Sequence, residues 1–139
     1  MGIVRRLGQA CLGVTFVTGG ADTLRDPGPR VARAASLGLA ERLGTDDRTL
    51  VRANAAAMVV GGLALMTDHL PRLAAAGLAA SLLPTTLAGH RWWEETDPRQ
   101  RANDRVHFVK NVSIIGGCLV LASSPRPRRA PTVQELRPS

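Results

Sequence analysis

ANAAAMVVGGLALMT (53–67) and LAAAGLAASLLPTTLAGH (73–90) contain no charged side chain and no polar face. A helix at the surface of a water-soluble protein needs apolar residues at i, i+3, i+4 and i+7 and a polar stripe opposite. These two segments are apolar all round. Two further windows, Leu7–Ala21 and Asn111–Pro125, are equally free of charge, and all 29 acidic and basic residues lie outside the four. Charge is excluded this thoroughly where the surroundings are lipid or a dry core. The reading is an all-α integral membrane four-helix bundle. Its helices are expected at about 6–24, 50–67, 70–90 and 106–123, forming a domain over 1–124.

Window length raises the rival reading, a soluble four-helix bundle. Crossing about 30 Å of hydrocarbon takes about 20 residues at roughly 1.5 Å each. Three of the windows have only 15 residues. Flanking Arg side chains that snorkel to the headgroups add about a turn to each span, so the membrane reading stands. The mean hydropathy of +0.01 reflects Arg-dense connections that dilute the apolar windows. Aromatic residues make up only 3% of the chain, so helix contacts must rest on small residues. Small residues four apart recur at Ala57/Gly61, Ala75/Ala79, Gly77/Ser81 and Ser113/Gly117, spacings that let backbones approach closely in lipid. The N-terminal MGIVRRLGQACLGVTFVTGGA resembles a secretory signal, and is read instead as an uncleaved first helix.

The net charge of +7 and pI near 11.3 invite a nucleic-acid reading. The basic residues are 17 Arg and one Lys, placed beside the spans and in the Arg/Pro-rich tail 125–139, not on one helical face. Anionic lipid headgroups are the partner this distribution suits, and no nucleic acid is expected. The tail has the composition of a disordered segment. The two cysteines, Cys11 and Cys118, lie in the first and last windows, with no C-x-x-C between them. Each reads as a small apolar helix residue.

Four antiparallel spans gather the end of the first helix, the start of the second, the end of the third and the start of the fourth. That end of the bundle collects nearly all the unusual polar residues. They are Asp22, Arg25, Asn54, Thr85, Thr86, His90, Trp93, Glu94, His107, Lys110 and Asn111. Polar groups at membrane depth are costly and pair with one another, so Asp22 with Arg25 or Lys110, and Asn54 with Asn111, would lock the bundle. Trp92 and Trp93 suit the headgroup level. His90 and Glu94 at i, i+4, with His107 opposite, could hold a metal only with a fourth ligand that is not evident, so no metal is expected. A third reading is a pocket between helices for an amphipathic molecule such as a quinone, with His90, His107 or Lys110 at its head. Between the first two spans, VARAASLGLAERLG (31–44) reads as a short amphipathic helix in the interface, after the break at Pro27-Gly28-Pro29.

RLGQACLGVTFVTGGADTLRDP (6–27), LPTTLAGHRWWEETDP (83–98) and HFVKNVSIIGG (107–117) together resemble the DoxX family of small bacterial membrane proteins. The likeness runs over roughly residues 4–122. It implies four transmembrane helices in the bacterial plasma membrane. The family takes its name from similarity to a small subunit of an archaeal thiosulfate:quinone oxidoreductase, and some members are linked to oxidative-stress and thiol-redox partners. The matching residues are Asp22, Asn54, Pro84, Thr85, Thr86, His90, Trp93, Glu94, His107, Phe108, Lys110 and Asn111; Trp92 and the Arg/Pro-rich tail are particular to this chain. The resemblance implies a redox-associated membrane subunit, linked to a quinone or to thiol chemistry. The alternative is a non-catalytic scaffold for soluble redox enzymes. Nothing in the sequence supplies an unambiguous nucleophile, a phosphate loop or a metal cage, so an autonomous enzyme is not expected.

Overall fold

Apolar residues without a polar face stay helical only where other helices or lipid cover them, and the four charge-free windows do form the four long helices. The computed structural model describes residues 2–125. Its elements are α1 (Ile3–Arg25), α2 (Gly28–Ala35), α3 (Leu39–Arg42), α4 (Asp47–Met66), α5 (Pro71–Gly89) and α6 (Pro98–Ser123). No strand occurs among the described residues. The expected tail lies outside them apart from Pro125.

Each long helix starts ahead of its charge-free window and takes in charged residues there. They hold 23, 20, 19 and 26 residues. α4 begins at Asp47 because Asp46 caps it, its carboxylate accepting from Thr49 N–H at 2.9 Å. Hydrogen bonds from Thr49 hold the Asp46 carboxyl below its usual pKa. α6 begins at Pro98, eight residues before the expected start at 106. The polar run from 98 to 105 is helical because Asp97 accepts from Gln100 N–H at 2.8 Å and Pro98 takes the first turn. The expected amphipathic helix over 31–44 is two short pieces. Gly38 at φ 60° breaks it between α2 and α3.

α1 packs along α4, α5 along α6, and α4 joins the two pairs; α2 lies against α4 and α5. The α1–α4 crossing is set by missing side chains. A Cβ on Gly13 would stand 2.6 Å from the Gly62 carbonyl oxygen, and one on Gly20 would stand 2.7 Å from that of Ala55. Gly61 and Gly62 meet Leu78 and Val17 in the same way. Gly77 and Gly116 face open space, so not every small residue serves a contact within the chain. α1 and α6 meet only sparsely, near Leu12 and Gly117.

Buried Phe16, Leu65, Ala75, Leu78 and Cys118 form the core. Outward positions are just as apolar: Val14 on α1, Val60 and Leu63 on α4, Leu73 and Leu83 on α5, and Val106, Val112 and Leu119 on α6 are all exposed. A surface apolar on every long helix suits lipid and not water. Among the described residues two helices, α4 and α6, are long and apolar enough to cross a membrane. α1 and α5 have the length, about 34 and 28 Å, with hydropathy lowered by Gln9, Asp22, Arg72, Ser81 and Thr residues.

Candidate functional site

A cavity of about 610 Å³ opens at the end of the bundle where α1 finishes and α6 begins. All four long helices and α2 line it. Phe16, Leu37, Leu50, Val51, Met58, Leu82 and Ile114 supply apolar wall. The polar lining is Asn54, Thr85, His90, His107, Lys110 and Asn111, joined by Thr15, Thr23, Arg30 and Arg33. Six of the eleven residues expected at this end therefore share one cavity.

The other five lie elsewhere, each for an identifiable reason. Asp22 and Arg25 face outward and pair with each other at 3.4 Å, one helical turn apart. Thr86 is buried with its hydroxyl given to Leu82 O at 2.7 Å. Trp93 and Glu94 follow the end of α5 at Gly89, so His90 and Glu94 never share a helical face. Glu94 pairs instead with Arg91 at 3.4 Å. Trp93 stands edge-on to Trp92 and to Phe108, with ring centres 5.9 and 5.8 Å away. No metal-binding cluster of His, Cys, Asp and Glu occurs among the described residues.

α5 and α6 position the imidazoles. Gly89 ends α5, and Arg33 of α2 donates to its carbonyl at 3.0 Å, satisfying one of the oxygens a helix terminus leaves free. His90 then turns toward α6. Asp104, His107 and Asn111, at i, i+3 and i+7, share the inward face of α6. His90 Nδ1 lies 3.3 Å from Asp104 Oδ1, and the carboxylate also accepts from Gln100 Nε2 at 3.3 Å. A carboxylate only accepts, so Nδ1 carries the proton and Nε2 is left as the basic nitrogen. The His90 and His107 rings stack with centres 5.1 Å apart and planes 14° apart. On the far side Lys110 Nζ donates to His107 Nδ1 at 3.2 Å. His90, one residue past the end of α5, has its pKa lowered from 6.5. Burial is the main cause, reinforced by His107 and Arg33 and opposed by the hydrogen bond to Asp104.

Asn54 is locked from α5. It accepts from Ser81 Oγ at 2.8 Å and donates to Thr85 Oγ1 at 3.2 Å, so the expected Asn54–Asn111 pair does not form. Asn111 is 7% exposed, lines the cavity, and makes no side-chain hydrogen bond among the described residues. Lys110 bonds to His107 and not to Asp22. Cys11 faces outward, Cys118 is buried in the core, and both are free thiols.

The DoxX family model matches residues 6–91, from the first turn of α1 to just past His90. The chain belongs to the DoxX family. The match spans α1 to α5 and stops short of α6, so the similar segment 107–117 lies beyond it. No curated protein and no solved structure matches the chain. Family membership and the apolar helices agree: this is a membrane protein.

Sequence reasoning passed over Asp104 and Arg33. Asp104 lies ahead of the expected helix start at 106, and only the start at Pro98 puts it one turn before His107. Arg33 was not legible, because its partner is a backbone carbonyl 56 residues away. As arranged, the cavity offers donors from Asn111 and Lys110, a basic nitrogen on an oriented imidazole, and apolar wall beside them.

Proposed function

We propose that α1, α4, α5 and α6 all cross the bacterial plasma membrane and that the cavity holds the head of a lipid-soluble carrier, a quinone being the candidate, in a redox-associated membrane assembly. The observation that carries this reading is Asn111, a residue only 7% exposed that lines a largely apolar cavity of about 610 Å³ and whose amide makes no hydrogen bond among the described residues. The amide is open to the cavity and free to donate to a ligand carbonyl, a hydrogen bond worth about 0.5–1.5 kcal/mol. Quinone oxygens are acceptors, and Asn111 and Lys110 are donors. Reduction of a quinone takes up two electrons and two protons. A soluble redox partner would supply the electrons, and His90, oriented by Asp104, is suited to exchange a proton.

Titration of a short-chain quinone into the protein in lipid nanodiscs tests this. Binding that weakens roughly tenfold in His90→Ala and in Asn111→Ala is expected. Absence of binding by the unaltered protein would refute it. The scaffold reading draws on a different observation. Trp92 and Trp93, with Arg101 and Arg105 stacked 5.8 and 5.7 Å from the Trp92 ring centre, form an aromatic, cationic surface on which a soluble enzyme could dock. Crosslinking through that surface that recovers no partner would count against it.

A further inference from the structure

The mouth of the cavity has a charge imbalance of which the quinone reading uses only Lys110. Arg30, Arg33 and Lys110 all line the cavity and are exposed at its rim, and no carboxylate lines it. Each cation donates only to a neutral acceptor. Arg30 bonds to Asp26 O at 3.2 Å, Arg33 to Gly89 O at 3.0 Å, and Lys110 to His107 Nδ1 at 3.2 Å. None of the three takes part in a salt bridge among the described residues. Arg33 also borders a shallower hollow that contains Glu94, Glu95 and Asp104; Glu94 and Asp104 pair with Arg91 and His90, and Glu95 accepts from the Thr96 and Asp97 N–H groups. Three uncompensated cations beside apolar wall attract an anion, and at the end of a membrane bundle the concentrated anion is the lipid headgroup.

The wall supplies the rest of the amphiphile's needs. α1 and α6 touch near Leu12 and Gly117. Toward the mouth Thr15 and Gly19 on one helix, and Ile114 on the other, border the cavity itself. A chain entering between α1 and α6 would meet apolar surface while its head remained at the rim.

We propose that the mouth of the cavity seats the phosphate of an anionic membrane lipid, held by Arg30, Arg33 and Lys110, with an acyl chain lying between α1 and α6. The proposal rests on the helices standing in a bilayer, and not on what occupies the deeper end. Native mass spectrometry of the full chain, released from nanodiscs of equal phosphatidylglycerol and phosphatidylcholine, tests it. One retained phosphatidylglycerol in preference to phosphatidylcholine is expected. Arg33→Gln and Lys110→Gln should each weaken retention about fivefold, and Arg48→Gln, outside the cavity, should leave it unchanged. Far-UV circular dichroism checks that the variants fold, and Arg30→Gln replaces either one that does not. Equal retention of the two lipids, or retention unaltered in the variants, would overturn the proposal. So would displacement of phosphatidylglycerol by millimolar inorganic phosphate, which would mark a site for a free oxyanion. Loss of quinone binding in His90→Ala with phosphatidylglycerol still retained separates the two readings.

Discussion

Gly62→Ala should destabilise the protein although alanine is the better helix former. A Cβ at position 62 would lie 2.7 Å from the Gly13 carbonyl oxygen, 2.9 Å from Val17 Cγ2 and 3.1 Å from Val17 N. Two of these atoms are backbone and cannot rotate away, so α1 and α4 must part by about 0.7 Å to restore ordinary contact. A gap of that size forfeits roughly a quarter to a half of the dispersion attraction along the crossing. Overpacking of this kind costs about 1–3 kcal/mol, against about 1 kcal/mol gained by replacing a helical glycine. Gly116→Ala is the matched control, because a Cβ there meets nothing within 4 Å. It should gain the propensity term alone. The difference between the two variants, about 1–3 kcal/mol, isolates the crossing. Unfolding of both by sodium dodecyl sulfate in mixed micelles, followed by far-UV circular dichroism, measures it. If both variants are stabilised equally, α1 and α4 do not approach as closely as described. Because Phe16 and Gly19 line the cavity from α1, and Asn54 and Met58 from α4, the same variant should widen the ligand site.

The remaining predictions concern the polar groups. His90 has a folded-state pKa below its ordinary 6.5, so its neutral form contributes stability above that value, and the contribution is lost as pH falls through the lowered pKa. Stability in detergent should therefore decline below about pH 6.5, and His90→Phe should flatten that part of the profile. Asp104→Asn removes the group that opposes the lowering, so the His90 pKa followed by imidazole NMR should fall further; an unchanged or raised value would refute the assigned contact. Asn54→Leu strands the Ser81 hydroxyl and removes the donor to Thr85, whose own O–H stays with Ser81 O, and should cost about 1–3 kcal/mol in the same unfolding assay. A loss under about 0.5 kcal/mol would mean that water replaces the amide.

Local rules made much of the architecture readable before any packing was known. Exclusion of charge from four windows marks four helices, because an ion in lipid or a dry core pays its full desolvation cost wherever the helix sits. Antiparallel succession then gathers Asn54, Thr85, His90, His107, Lys110 and Asn111 at one end. Asp104 falls on the face of His107 only once the helix is known to start at Pro98, ahead of the expected start at 106. Helix starts were less legible, since Asp97 and Pro98 extend α6 through a charged segment that hydropathy marks as a connection. Rotation about each helix axis was not legible at all. It turns Asp22 and Arg25 outward and Asn111 inward, pairs Asn54 with Ser81 and Thr85, and presses Gly13 against Gly62. That rotation is decided by how one helix's ridges fit another's gaps, a property of two surfaces together. The sparse α1–α6 contact, the lining of the cavity by α2 and the unbalanced cations at its rim all follow from this fit, to which no single segment of the chain holds the key.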